Sequence, residues 1–478
     1  MLFSSLIFLY GFLPIVLLLI LISRKSWHNR ILLLASLVFY AWGGVIFSLL
    51  LLIPIILNYF IGLLIDRHRS TPAAKTALVI GISLNLLLLG IFKYANFLVD
   101  NVNLVGEQLG FEAIPLGPVV LPLGISFFTF QAISYIVDVY QERSFVQKRF
   151  PDLALYIALF PQLIAGPILR YHDIAQQIVQ RSITWAKFSS GVERFIVGLG
   201  KKVLLANNFA LIADEVFAVS PQHLDPVSAW FGLLCYSLQI YFDFSGYSDM
   251  AIGLGRMFGF NIPENFNFPY IARSIREFWR RWHISLSNWF RDYLYIPLGG
   301  NRISATRTYV NLLIVFFLTG LWHGASWNFV FWGLFHGMFM VLERLGLEKV
   351  LHRLWWPLSH LYTLFVVLIA WVFFRAETFG YAWDYCRALF GLMPASESPF
   401  DLVFYLNYEL LAALLIGLMA STPVFRFLHQ RLENRLDGRS FSSNIYGILS
   451  TFGLLLIFFY CTMNLVSSAY NPFIYFRF

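Results

Sequence analysis

Charge is what this sequence has least of. Asp, Glu, Lys and Arg make up 13% of its 478 residues, against about 25% in a soluble domain, which excludes an ordinary water-soluble enzyme. Cysteine is scarcer still. Cys235, Cys386 and Cys461 are scattered and odd in number, which argues against a disulfide framework or a metal cluster and leaves them as small apolar fillers. Several chemistries lack their local signatures. No histidine is followed by aspartate five residues on, and there is neither a Gly-x-Ser-x-Gly elbow nor a phosphate-loop lysine motif. No inverted repeat of the transporter kind and no appended soluble domain is visible, so one integral membrane domain over 1–478 is expected. Neither a bound metal nor a permanent cofactor is expected.

What is abundant is apolar sequence. Hydrophobic residues reach 59% and mean hydropathy is +0.68. The runs 4–23, 45–65 and 77–93 suit spanning helices, which need about 20 apolar residues. The first has no basic flank or small-residue cleavage site, and further spans follow it, so it does not read as a removable signal. The fold class is an all-α polytopic membrane protein of about 10–12 transmembrane or re-entrant helices, allowing roughly 20 residues for each span. The formal charge of +8 does not imply nucleic acid, because Lys and Arg gather in cytoplasmic loops. Residues 24–30 and 66–75 read as cytoplasmic and 95–118 as an external loop. The run 153–171 has basic residues at both ends and Pro161, Gly166 and Pro167 inside, the pattern of a re-entrant segment. Further spans are expected near 190–212, 228–250, 309–322, 326–345, 358–374, 406–424 and 444–465.

One stretch carries an unusual density of polar groups: "EFWRRWHISLSNWF", residues 277–290. Read as a single helix over 273–291, it puts Arg276, Arg280, His283, Ser287 and Arg291 on one narrow stripe, opposite Phe278, Trp279, Trp282, Leu286, Trp289 and Phe290. Glu277 and Arg281 can pair four residues apart. An interfacial helix explains the arginines and tryptophans. It does not explain His283, whose charged form the neighbouring arginines would disfavour; a neutral imidazole on a cationic wall is a usable base.

Three more polar groupings lie in apolar sequence. Asp243, Ser245, Ser248 and Asp249 sit within 239–253, His323 and His336 within 318–337, and Lys93 at an expected span end. Ionisable groups at membrane depth mark sites or pathways by default. His323, between Trp322 and Gly324, is the stronger candidate. His336 falls on a different face of one straight helix and reads as structural, and Lys93 can snorkel to the interface.

The motifs "PLGISFFTFQAISYIVDVY", "LFPQLIAGPILR", "YFDFSGYSDMAIGLG", "PENFNFPYI", "EFWRRWHISLSNWFRDYLYIPLGGNR" and "GLWHGASWNFVFWGLFHG", in order over about 122–337, resemble those of the membrane-bound O-acyltransferases. The likeness extends over most of 1–378; the remaining 379–478 keep only a hydrophobic pattern. The resemblance implies a helical bundle around a central tunnel, His323 in the near-invariant catalytic position, and His283 as second catalytic-site residue. It makes the cationic stripe of Arg276, Arg280, Arg291 and Ser287 a candidate donor-binding surface. It also implies a bacterial inner-membrane acetyltransferase acting on an extracytoplasmic polysaccharide such as alginate. Acetyl-CoA would be the donor, membrane lipid the surroundings and a periplasmic acetyltransferase the protein partner. Peptidoglycan, other exopolysaccharides and D-alanyl transfer to teichoic acid are rival acceptors and reactions, and a flippase is the non-enzyme rival.

Overall fold

A computed structural model describes residues 1–393, 402–435, 441–468 and 470–474. The expected C-terminal helices therefore include residues, 394–401, 436–440, 469 and 475–478, that lie outside the described set. Among the described residues every regular element is helical. Within this set seven helices are long and apolar enough to cross a membrane, or eight if Tyr408–Ala420 and Val424–Leu432, bent by 71°, form one span; Phe8–Ile22 and Ile125–Tyr140 are shorter apolar helices. The chain is a multi-pass membrane protein.

Two helices are buried along most of their length. Every residue of 125–139 is buried, as is every residue from Cys235 to Gly255 in the long helix Pro226–Met257. A helix covered on all sides needs no apolar stripe, and the 226–257 helix carries polar residues all round. Glycine brings it against helix Trp185–Gly200 at two levels. A Cβ on Gly191 would lie 2.6 Å from the Gly253 carbonyl oxygen, and one on Gly198 would lie 2.7 Å from that of Gly246. Small residues permit this backbone approach inside membranes. The crossing also neutralises the carboxylates singled out in the sequence. Asp249 pairs with Arg194 at 2.6 Å and Lys201 at 2.7 Å, and Asp243 pairs with Lys202 at 2.7 Å. They form structural ion pairs, with Asp243 also accepting from the Ile474 amide at 2.8 Å.

Three expectations need revision or detail. The external loop expected over 95–118 is helical through its first half, because Pro72–Gln108 runs unbroken for 37 residues. At 1.5 Å per residue that is about 55 Å, well beyond a hydrocarbon core of about 30 Å. Asparagines 96, 101 and 103 do not end it, since their side chains bond to nearby carbonyls or to the following loop. The 153–171 run is broken. Helix Phe150–Ala158 stops at Leu159, a short turn Phe160–Leu163 follows, and the next helix begins at Tyr171. Residues 152–169 are all buried, and Gln162 and Tyr156 satisfy freed carbonyls, Gln162 Nε2 donating to the Tyr156 oxygen at 2.6 Å and Tyr156 to that of Leu169 at 2.8 Å. Irregular backbone at depth is tolerated on these terms.

The third revision concerns 273–291, which is not one helix. Helix Ile275–Arg281 ends at an extended Trp282, His283 adopts φ 44°, ψ 53°, and a second helix runs Ile284–Phe290. A left-handed non-glycine residue costs on the order of 1–3 kcal/mol and persists only where its surroundings hold it. Asn265 is that surrounding. Its carbonyl accepts the Ile284 amide at 3.0 Å, and its side-chain oxygen accepts the Ser285 amide at 3.2 Å and the Ser285 hydroxyl at 2.8 Å. The free N–H groups at the start of the second helix are thereby met.

Candidate active site

His323 is the last residue of helix Ala305–His323, and the chain returns immediately as Trp327–Leu342. The two helices are nearly in backbone contact. A Cβ on Gly320 would lie 2.3 Å from the Phe329 carbonyl, and one on Gly333 2.2 Å from that of Phe316. The exposed carbonyls at the end of the 305–323 helix are met from the 72–108 helix. Lys93 Nζ donates to the carbonyl of Trp322, to that of His323 at 3.3 Å and to Ser126 Oγ at 3.3 Å; Tyr94 donates to the Leu321 carbonyl at 2.7 Å. A cation at a helix C-terminus complements the helix dipole. Lys93 thus turns inward to cap the helix that carries His323, and the snorkelling expected from its position does not occur.

The His323 imidazole is 4% exposed. Its walls are aromatic, with ring centroids at 4.9 Å for Trp332, 5.0 Å for Trp322 and 5.2 Å for Phe374. Neither ring nitrogen has a hydrogen-bond partner among the described residues. On one side it borders a cavity of about 40 Å³ shared with Lys93 and the 121–127 segment. On the other it faces a narrow space lined by Phe244, Trp282, Trp371, Phe374 and Ile474. Phe374 and Ile474 also border a cavity of about 530 Å³ with Tyr236, Gln239, Ser326 and Arg375.

His283 comes to the same place from the break in the 275–290 segment. It is fully buried, edge-on to Phe244 at 4.6 Å, and 6.0 Å from the Trp322 ring, so that one indole touches both histidines. Its Nδ1 lies 3.1 Å from Asn265 Oδ1. That oxygen already accepts from Ser285, so the histidine nitrogen is the donor there. The proton therefore sits on Nδ1, and the lone pair falls to Nε2, which has no partner among the described residues. His336 lies beyond Trp332, whose ring stands 5.1 Å from it. Because 323 and 336 belong to two packed helices, both stand against the same Trp332 indole, and the single-helix reasoning that separated them does not apply.

The arginine stripe does not accompany His283 inward. Arg276, Arg280 and Arg291 are exposed and Ser287 is half-buried. Arg276 is paired with Glu348 at 3.0 Å, Arg291 with Asp292 at 2.7 Å, and Ser287 Oγ donates to the Trp279 carbonyl at 3.2 Å. Arg280 has no ion pair or hydrogen bond among the described residues. The shared stripe expected from one continuous helix is absent, and with it the expected influence of the arginines on the imidazole.

The fold and this histidine pair can be set beside known proteins. The MBOAT, membrane-bound O-acyltransferase family, matches residues 143–373, a stretch that holds both histidines and Asn265. A Pseudomonas aeruginosa protein named "Probable alginate O-acetylase AlgI" is 46% identical over 429 residues, covering 90% of this chain and 80% of that protein. The chain belongs to the membrane-bound O-acyltransferase family. An Azotobacter vinelandii protein of the same name is 40% identical over the whole of both chains. A Helicobacter pylori "Peptidoglycan O-acetyltransferase" is 38% identical over 82% of this chain and 80% of its own length. The chain is an acyltransferase, and these three relatives are O-acetylases or O-acetyltransferases by name.

The sequence singled out both histidines of this candidate site but not what holds them. Asn265 lay inside the motif "PENFNFPYI" without a role, because nothing local ties it to a histidine 18 positions on. Ile474, which lines the space facing His323, gave no signal, because the contact joins residues far apart in the chain.

Proposed function

We propose that the chain takes acetyl groups from a cytoplasmic donor, acetyl-CoA, and passes them outward for O-acetylation of an extracytoplasmic polysaccharide, alginate being the first candidate. The observation that carries the reading is His323: a buried imidazole with both nitrogens uncommitted among the described residues, bordering space on two sides, at the position the family resemblance assigns to the catalytic histidine. In this reading His323 removes the proton from an acceptor hydroxyl as its oxygen attacks the thioester carbonyl. The tetrahedral intermediate expels the thiolate, which takes the proton back from the imidazolium. General-base help of this kind contributes about 10²–10⁴-fold. His283, its tautomer set by Asn265, presents Nε2 to orient the donor or share the proton. Arg280 is the proposed contact for donor phosphates, with Arg276, Arg291 and Ser287 as further candidates, and its uncommitted guanidinium makes it the strongest of the four. An extracytoplasmic acetyltransferase partner completes the route, as the resemblance implies.

The Helicobacter pylori relative favours peptidoglycan as a second acceptor. Deleting the gene and measuring ester-linked acetate on each polymer separates the two. The reading expects acetate to vanish from the exopolysaccharide and to return with the wild-type gene but not with His323→Ala. Loss from peptidoglycan alone would replace the first acceptor by the second. Unchanged acetate on both would refute polysaccharide acetylation.

A further inference from the structure

Away from the histidines, between the N-terminal helices and the 178–183 segment, lies a cavity of about 1010 Å³. Its walls are of two kinds. Leu17, Leu21, Ile183 and Phe188 supply an apolar part, and Lys25, Arg30, Arg149 and Arg181 a cationic part. Asp152 is the one carboxylate in its lining. Its charge is already engaged, by Arg149 at 3.4 Å and by Asn29 Nδ2 at 2.8 Å. Lys25, Arg30 and Arg181 form no ion pair among the described residues, so the cavity carries excess positive charge.

Arg181 is built into this wall. Its Nε donates to the Phe258 carbonyl at 3.0 Å and its Nη1 to Asn29 Oδ1 at 2.6 Å, while the guanidinium lies 4.1 Å above the Phe260 ring. Asn29 is held in turn by Asp152 and by the Ile178 carbonyl, to which it donates at 3.0 Å. The remaining nitrogen, Nη2, is buried and has no partner among the described residues. A guanidinium fixed on two of its nitrogens is a preorganised positive charge in the cavity wall, suited to an oxyanion. The cavity's size exceeds a bare anion, and its apolar wall continues onto the membrane-facing helix Leu13–Ile22, where Leu18, Leu21 and Ile22 are exposed. An amphiphile with an anionic head matches both walls. The flanking basic loops are of the kind that faces the anionic leaflet.

We propose that this cavity binds the phosphate of an anionic membrane phospholipid, with Arg181 as its fixed contact, Lys25 and Arg30 at its mouth, and an acyl chain along Leu17 and Leu21. The test uses the full chain, purified from nanodiscs containing equal phosphatidylglycerol and phosphatidylcholine, with retained lipid measured by native mass spectrometry. Wild type should retain phosphatidylglycerol selectively. Arg181→Gln should lower that retention by about ten-fold, the worth of one charge-assisted hydrogen bond. The double variant Lys25→Gln/Arg30→Gln, confined to exposed side chains, should lower it without changing yield or monodispersity, which covers the case in which Arg181→Gln misfolds. Equal retention of both lipids by wild type, or retention unchanged in the double variant and in a folded Arg181→Gln, would overturn the proposal. So would displacement of the lipid by millimolar inorganic phosphate or coenzyme A, which would make the ligand a soluble phosphate. The readout is lipid retention, so it stands or falls independently of acetyl transfer.

Discussion

Arg280 and His283 are three residues apart and end on opposite sides of the bundle wall. Arg280 is exposed and unpaired among the described residues; His283 is wholly buried against Phe244 and Asn265. One continuous helix would have put both on the same stripe. The difference is made by a single left-handed residue, and it teaches that this segment is a hinge between two environments. Its first half is a surface helix anchored by Glu343, which accepts the Ile275 and Arg276 amides at 2.6 and 3.0 Å. Its second half is part of the aromatic interior. Surface charge and site chemistry are therefore separable by mutation.

The largest expected effect tests how rigid the interior is. Gly246→Leu should abolish recovery of monodisperse protein, because its Cβ would lie 2.8 Å from the Gly198 carbonyl and backbone cannot yield as a side chain does; even ordinary overpacking costs about 1–3 kcal/mol. Gly90→Leu, with open space around it, should be recovered normally, as size-exclusion profiles would show. Equal recovery of the two would dissolve the contrast between interior and surface.

Next comes the hinge. Asn265→Ala leaves the Ser285 amide and His283 Nδ1 without an acceptor and should reduce kcat by about 10²-fold through misplacement of the imidazole, with a stability loss of about 1–3 kcal/mol. Asn265→Asp keeps the accepting oxygen and should recover part of kcat. No difference between Ala and Asp in steady-state kinetics would remove Asn265 as the element that positions His283.

A smaller effect is expected at Lys93. Lys93→Met removes the cap at the end of the 305–323 helix, an interaction of about 0.3–2 kcal/mol. It should lower kcat by about ten-fold, the equivalent of 1.4 kcal/mol, and lower Tm modestly, whereas Lys93→Arg should retain more of both. A thermal-shift series read beside kcat checks this.

The smallest effect belongs to the surface. Arg280→Gln should leave Tm and kcat unchanged and raise KM for the acyl donor by about ten-fold, the worth of one charge-assisted bond. An unchanged donor KM would leave Arg280 as a lipid-facing charge only.

How much of this was legible in the sequence follows from the range of the interactions. His323 stood out because an ionisable side chain in a long apolar run is expensive, and that cost is local information. His283 stood out for a different reason, as the residue of a basic aromatic stretch that an interfacial helix does not explain, and the geometry inferred for it was wrong. Nothing in "RRWHIS" breaks a helix by itself: no glycine or proline marks the left-handed turn, which is imposed by Asn265 from 18 positions away. Lys93 turning toward the 322–323 carbonyls likewise depends on partners far along the chain. Asp243 and Asp249 read as a site or pathway because their cations, Lys202, Arg194 and Lys201, lie on another helix. The glycine pairs 191/198 and 246/253 share a seven-residue spacing that acquires meaning only when the two helices are seen crossing.

The account rests on His323 as the residue that moves the proton, and the most direct measurement compares acetyl transfer from labelled acetyl-CoA by purified wild type, His323→Ala, His323→Asn and His336→Ala, each shown to be folded by its elution profile and Tm. The account predicts that both His323 variants are folded and transfer no acetyl above background, while folded His336→Ala retains most of the activity. A folded His323→Ala protein that transfers acetyl at close to the wild-type rate would contradict it.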